Sequence, residues 1–193
     1  EGAYLLRGDP NKRREYDDVV IGHEYGHFVM QKFSVSNSPG GNHFLDARSV
    51  PTLAWGEGWA SFFALASQKR TSYIATSPTG TDVFLPHETL PADVEMGNAG
   101  NTLAGNVSES VVTAVLLDLY DSSNETNDTL SDKSTAIWTV FTTYLANGFA
   151  KFADRGVAGR GLVDFLDGWF CLGYGEAGDD DTKGVRGNVK TLH

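Results

Sequence analysis

Apolar positions recur at helical spacing in five stretches of the chain. Over residues 15–33, Val19, Val20, His23, His27, Met30 and Phe33 fall near one face at i, i+3, i+4 intervals, which predicts an amphipathic helix. Asp17 and Asp18 sit where its first turn would be, and the helix dipole favours anions there. A second helix is expected over 52–70, with Leu53, Trp55, Trp59, Phe62, Phe63 and Leu65 as its bulky members. A third is expected to start at Ser108, an N-cap residue type, and to run through Val111, Val112, Val115, Leu116 and Leu119 to Tyr120. A fourth is expected from Thr135 to Leu145 or Phe149. A fifth is expected from about Gly161 through Phe165, Leu166, Trp169 and Phe170.

Between these stretches the chain is polar. Residues 34–51 read as a loop. Residues 71–105 are rich in Thr, Gly, Pro and Asn with no clear period, so they are expected to lack regular structure or to shape a cleft. Tyr4-Leu5-Leu6 could end a strand, and Ala3 to Arg7 is the only early stretch that reads as one. The expectation is therefore a mainly α fold with at most a short N-terminal strand. The tail from Gly173, with Asp179-Asp180-Asp181, reads as solvated surface rather than a calcium loop, since it lacks spaced ligand positions.

Charge and length narrow the function classes. The chain has 193 residues, with 15 Lys and Arg against 25 Asp and Glu, a net charge of −10. Clustered cations, which a nucleic-acid binder or an anionic membrane surface would require, are missing. No stretch approaches the roughly 20 apolar residues of a membrane-spanning helix. One cysteine, Cys171, excludes an internal disulfide framework and thiolate zinc fingers. Sequons at Asn106, Asn124 and Asn127 fit a secreted protein, though weakly. The first residue is Glu rather than Met, which reads as a processed or excised chain.

The chemistry is concentrated in His23-Glu24-Tyr25-Gly26-His27, an H-E-x-x-H motif in the first helix. Residues i and i+4 share a helical face, so both imidazoles can reach one ion, while Glu24 lies one step around and can approach a water beside it. Such an arrangement suits zinc-assisted hydrolysis with Glu24 as general base. A catalytic zinc requires a third protein ligand. Gly and His at the positions of Met30 and Phe33 would give the metzincin pattern, and neither is present. Two other candidates remain. His43 stands in a Gly-Gly-Asn-His loop that could fold back. Glu57 stands in Trp55-Gly56-Glu57-Gly58-Trp59, where an unpaired carboxylate would be costly.

With the Ala-Trp-Gly-Glu-Gly-Trp-Ala-Ser-Phe-Phe segment following it, the motif resembles the gluzincin metallopeptidases, collagenase-type and thermolysin-like enzymes among them. The resemblance covers residues 15–70. It implies a helical zincin-like catalytic subdomain with one Zn2+, held by His23, His27 and Glu57, with Glu24 as general base. It also implies a peptide or protein substrate and a secreted or cell-surface location. Gluzincins usually carry a preceding sheet that holds the substrate. Here little chain precedes His23, so residues 1–193 are expected to form one such subdomain cut from a longer chain, its N-terminal domain lying upstream. For the oxyanion donor that zincins supply, the sequence offers Tyr73, His87, Tyr120 and His43. Tyr120 is preferred, because its separation from Glu57 is similar to that in the M1-type aminopeptidases. Glu109 and Asp118 are candidates to hold a His ring, with Asp118 the better of the two. The competing readings are a zinc-stabilised binding or scaffolding module without catalysis, and a zinc hydrolase acting on a non-peptide amide.

Overall fold

The computed structural model describes residues 17–43, 47–77, 80–86, 107–121, 130–146 and 159–175. The expected strand over Ala3 to Arg7, His87, the three sequons and the Asp179 to Asp181 run lie outside the described residues. The described part is mainly helical.

Helix α1 spans Asp18–Phe33. Its N-cap is Asp17, whose carboxylate accepts the Val19 N–H at 3.1 Å. Helix α2, Pro51–Gln68, is the centre of the molecule: every residue from Thr52 to Phe62 is buried. A helix apolar on all sides must be surrounded, and α2 is. Trp59 stacks on Phe141 with ring centroids 3.6 Å apart, and Trp55 on Phe165. The helix opens with Pro51 in its first turn, where a missing N–H costs nothing. It closes at Lys69, which takes a left-handed conformation (φ 54°) so that the Arg70 N–H reaches the Leu65 carbonyl.

Helix α3, Glu109–Tyr120, starts on the N-cap Ser108, as its sequence predicts. It is followed by α4, Ser134–Thr139, which continues into a π-helical turn, Val140–Tyr144. Helix α5 is Leu162–Cys171. Its Asp164 carboxylate accepts the Gly161 N–H at 2.8 Å and so secures the first turn.

Among the described residues, four short strands correct the expectation of at most one. Strand β1, Arg48–Ser49, pairs antiparallel with β4, Val107–Ser108, and ties together the segments that enter α2 and α3. Strands β2, Ser72–Ser77, and β3, Gly80–Pro86, form an antiparallel hairpin with a bulge between Ala75 and Thr76. That hairpin occupies part of the stretch expected to be irregular. Tyr73 and Ala75 of β2 are buried, and Ala75 is small, so the period-2 signal there is faint.

Two helix crossings position the site. Helices α1 and α2 run antiparallel: the Gln68 side chain donates to the Asp18 carbonyl at one end, and His27 meets Glu57 at the other. The crossing is tight because Gly26 faces Ala60. A Cβ at Gly26 would stand 2.8 Å from the Ala60 Cα, closer than side chains approach backbone. Helix α3 packs on another side of α2. Its Thr113 hydroxyl donates to the Gly58 carbonyl, and a Cβ on Gly58 would collide with Val112 and the Glu109 carbonyl.

Candidate metal centre

The antiparallel crossing sets one carboxylate opposite two imidazoles. His23 Nε2, His27 Nε2 and Glu57 Oε2 form a triangle with each side 3.1 Å. Glu57 is buried, and both rings are half-buried. Burial pushes the pKa of Glu57 up, but the hydrogen bonds and charges of His23 and His27 outweigh it and hold the carboxyl well below its ordinary range. Burial pushes His27 down, yet Glu57, and more weakly Glu24 and Glu109, leave it raised above the usual histidine value.

The same donor set fits zinc. Ligands at about 2.0–2.2 Å from a tetrahedral ion stand about 3.3–3.6 Å from one another. The observed triangle is within a few tenths of an ångström of that, and its two nitrogens and one carboxylate oxygen are ordinary zinc donors. Three protein ligands leave a fourth position for water or substrate. Glu24, next to His23 on α1, is half-buried, and its charge reaches His27.

A residue that the sequence reading passed over completes the ligand support. Ser61 Oγ lies 3.1 Å from His23 Nδ1 and is fully buried. Ser61 follows Glu57 by one helical turn, so the i, i+4 rule would have placed it on the same face. Were Nε2 to face an ion, Nδ1–H would donate to Ser61, and that contact would fix the ring.

The remaining candidates separate. His43 does not join the triangle but stands beside it, in a second group with Glu57 and Glu109. Its Nδ1 is 3.1 Å from Glu109 Oε2, and its Nε2 is 3.5 Å from Glu57 Oε2. Glu109 is therefore the carboxylate that holds a histidine, rather than Asp118, which lies about 13 Å further along α3. Tyr73 presents its ring edge to His23, with centroids 6.4 Å apart. Tyr120 is not brought to the group. Glu109 opens α3 beside Glu57, and Tyr120 ends that helix about 17 Å away. There its hydroxyl donates to the Ala66 carbonyl at 3.1 Å. The preference for Tyr120 as oxyanion donor is thus corrected by the direction in which α3 runs.

Fold and site together define a helical domain in which two His and one Glu form a group that could hold a metal ion. The model of the mycolysin C-terminal domain family matches residues 11–162, and the chain belongs to that family. The match ties the chain to metalloprotease proteins without assigning it their catalytic step. No curated protein and no solved structure matches the chain. Among the described residues, no helix is long and apolar enough to cross a membrane.

Proposed function

We propose that the protein is a zinc-dependent peptide hydrolase of gluzincin type, with His23, His27 and Glu57 as zinc ligands and Glu24 as general base. The observation that carries this reading is the 3.1 Å triangle of two imidazole nitrogens and one carboxylate oxygen on two crossed helices. A zinc ion, when bound, supplies a Lewis-acid centre and acidifies water. The protein's own residues do the rest. Ser61 fixes His23, and Gly26 holds α1 close enough to α2 for Glu57 to meet both rings. Glu24 takes the proton of the attacking water and returns it to the departing amine. The metalloprotease family context supports peptide bonds as the substrate class, and it supports secretion as the setting.

One observation favours a second reading. The family is defined by a C-terminal domain, which suits a zinc-stabilised module serving a catalytic domain elsewhere. A single experiment separates the two. Glu24→Gln should keep one zinc per chain and lose casein hydrolysis by about 10²–10⁴-fold. Retained turnover removes Glu24 as the base. Zinc binding with no turnover in the unsubstituted protein favours the non-catalytic module.

A further inference from the structure

A further group of donor atoms stands beside the triangle. One ring nitrogen of His43 and one oxygen each of Glu57 and Glu109 lie within 4.8 Å of one another. His43 Nδ1 is 3.1 Å and 3.4 Å from the two Glu109 oxygens. His43 Nε2 is 3.5 Å from Glu57 Oε2, the same oxygen that stands 3.1 Å from His23 and His27. Glu57 therefore belongs to both groups, and its carboxylate lies between them.

The helix crossing forces the two carboxylates together. Gly58 lets the first turn of α3 close on α2, since a Cβ there would stand 2.7 Å from the Glu109 carbonyl oxygen. Thr113 fastens the crossing by donating to the Gly58 carbonyl. The start of α3 favours one anion, at Glu109. A second carboxylate beside it, with both buried, brings like charges close where the interior screens them poorly. A divalent cation between them turns that repulsion into attraction.

The donor set suits such an ion. Imidazole favours zinc and its neighbours among the transition metals, and carboxylates add charge. Donors of a tetrahedral zinc ion stand about 3.3–3.6 Å apart, and the contacts of His43 with the two carboxylates, at 3.1 Å and 3.5 Å, lie close to that range. An imidazole gives one nitrogen to one ion. His43 is 35% exposed, so its ring has room to turn a single nitrogen between the carboxylates, and the open side admits water as a further ligand.

We infer that His43, Glu57 and Glu109 hold a second divalent transition-metal ion, with the Glu57 carboxylate shared between it and the zinc proposed for the triangle. The inference rests on that zinc in one respect, the sharing of Glu57. With a shared ligand and an open face, the second ion binds more weakly than the first and leaves on dialysis.

The test starts from full-length protein dialysed to one zinc and titrates it with Co2+, followed by calorimetry and by the visible absorption of the bound ion. One further equivalent should bind. His43→Ala and Glu109→Gln should each weaken that second event by more than the roughly 10–100-fold that an orienting partner is worth, and both should keep the first zinc. Glu109→Gln preserves the shape of the side chain, so its loss reports the ligand rather than the fold. With Co2+ in both sites, the paramagnetic resonance signal per cobalt should fall as the second equivalent binds, because ions that share a carboxylate couple. No second equivalent in the unsubstituted protein overturns the inference. So does a second equivalent that survives both substitutions, since the ion then sits elsewhere among the chain's 25 Asp and Glu. A constant signal per cobalt overturns the sharing of Glu57. Failure of the triangle reads differently: the protein then takes up a single ion that His43→Ala abolishes and His23→Ala does not.

Discussion

Ser61 Oγ stands 3.1 Å from His23 Nδ1, one turn along the helix from Glu57. A single helical face therefore supplies both a proposed ligand, Glu57, and the group that orients another, His23. Ser61→Ala removes the acceptor for Nδ1–H and leaves the ring free to rotate or change tautomer. Zinc affinity should fall about 10–100-fold. Competition with a chromophoric chelator measures this, and Ser61→Thr, which keeps the hydroxyl, should bind zinc more tightly than Ser61→Ala. Equal affinity in Ser61→Ala and the unsubstituted protein would show that packing alone orients His23.

Glu57 should matter more than Ser61. In the proposed site it offers a donor atom to the ion itself, and it is the charge that both rings share. Glu57→Ala should weaken zinc binding well beyond the roughly 10–100-fold expected of an orienting partner. If isothermal titration shows equal losses in Glu57→Ala and Ser61→Ala, another residue supplies the third ligand, with His43 the nearest alternative.

Much of this could be read from the sequence, because helical spacing reports directly on shared faces. The i, i+4 pair of His23 and His27 and the cap at Ser108 follow from local rules, whereas Asp17, read as a first-turn charge, is the N-cap itself. The oddity of a carboxylate in the Trp55 to Trp59 run also marked Glu57, and that helix is indeed buried. What could not be read was the direction of packing between helices. Glu109 reads as an ordinary helix-start charge, and Asp118 reads as the anomaly in an apolar run. Only the placement of the α3 N-terminus beside Gly58 makes Glu109 the partner of His43 and carries Tyr120 away. The β2–β3 hairpin was obscured for a different reason, since its bulky residues stand side by side, as Tyr73-Ile74 and Val83-Phe84-Leu85, instead of alternating with polar ones.

Gly26 sits inside the motif, at a position where the metal chemistry makes no demand. Packing does make one. Gly26→Ala would place a methyl group 2.8 Å from the Ala60 Cα and 3.1 Å from its carbonyl oxygen. Backbone cannot yield as a flexible side chain can, so α1 and α2 must separate. The expected cost is about 1–3 kcal/mol, as for other overpacked sites, read as a lowered Tm. The separation also pulls Glu57 from the His pair, so zinc affinity should fall in the same variant. A variant with lowered Tm and unchanged zinc affinity would show that the ligands tolerate the shift.

The metal-free protein should have a pH window of its own. Glu57 is held below its ordinary value of 4.5, so it contributes stability above pH 4.5 that is lost as pH falls through its lowered value. His27 is raised above 6.5, so it contributes stability below pH 6.5 that is lost as pH rises through its raised value. Both contributions are at full strength together only between about pH 4.5 and 6.5. Thermal melts in excess chelator should therefore show the largest gap between the unsubstituted protein and Glu57→Gln in that window. The gap should narrow on the alkaline side as His27 loses its proton. With zinc bound the alkaline narrowing should vanish, because an ion that replaces the ring protons does not leave as pH rises past neutrality. A gap that stays constant from pH 5 to 9 in chelator would mean that His27 and Glu57 are not coupled as their 3.1 Å contact requires.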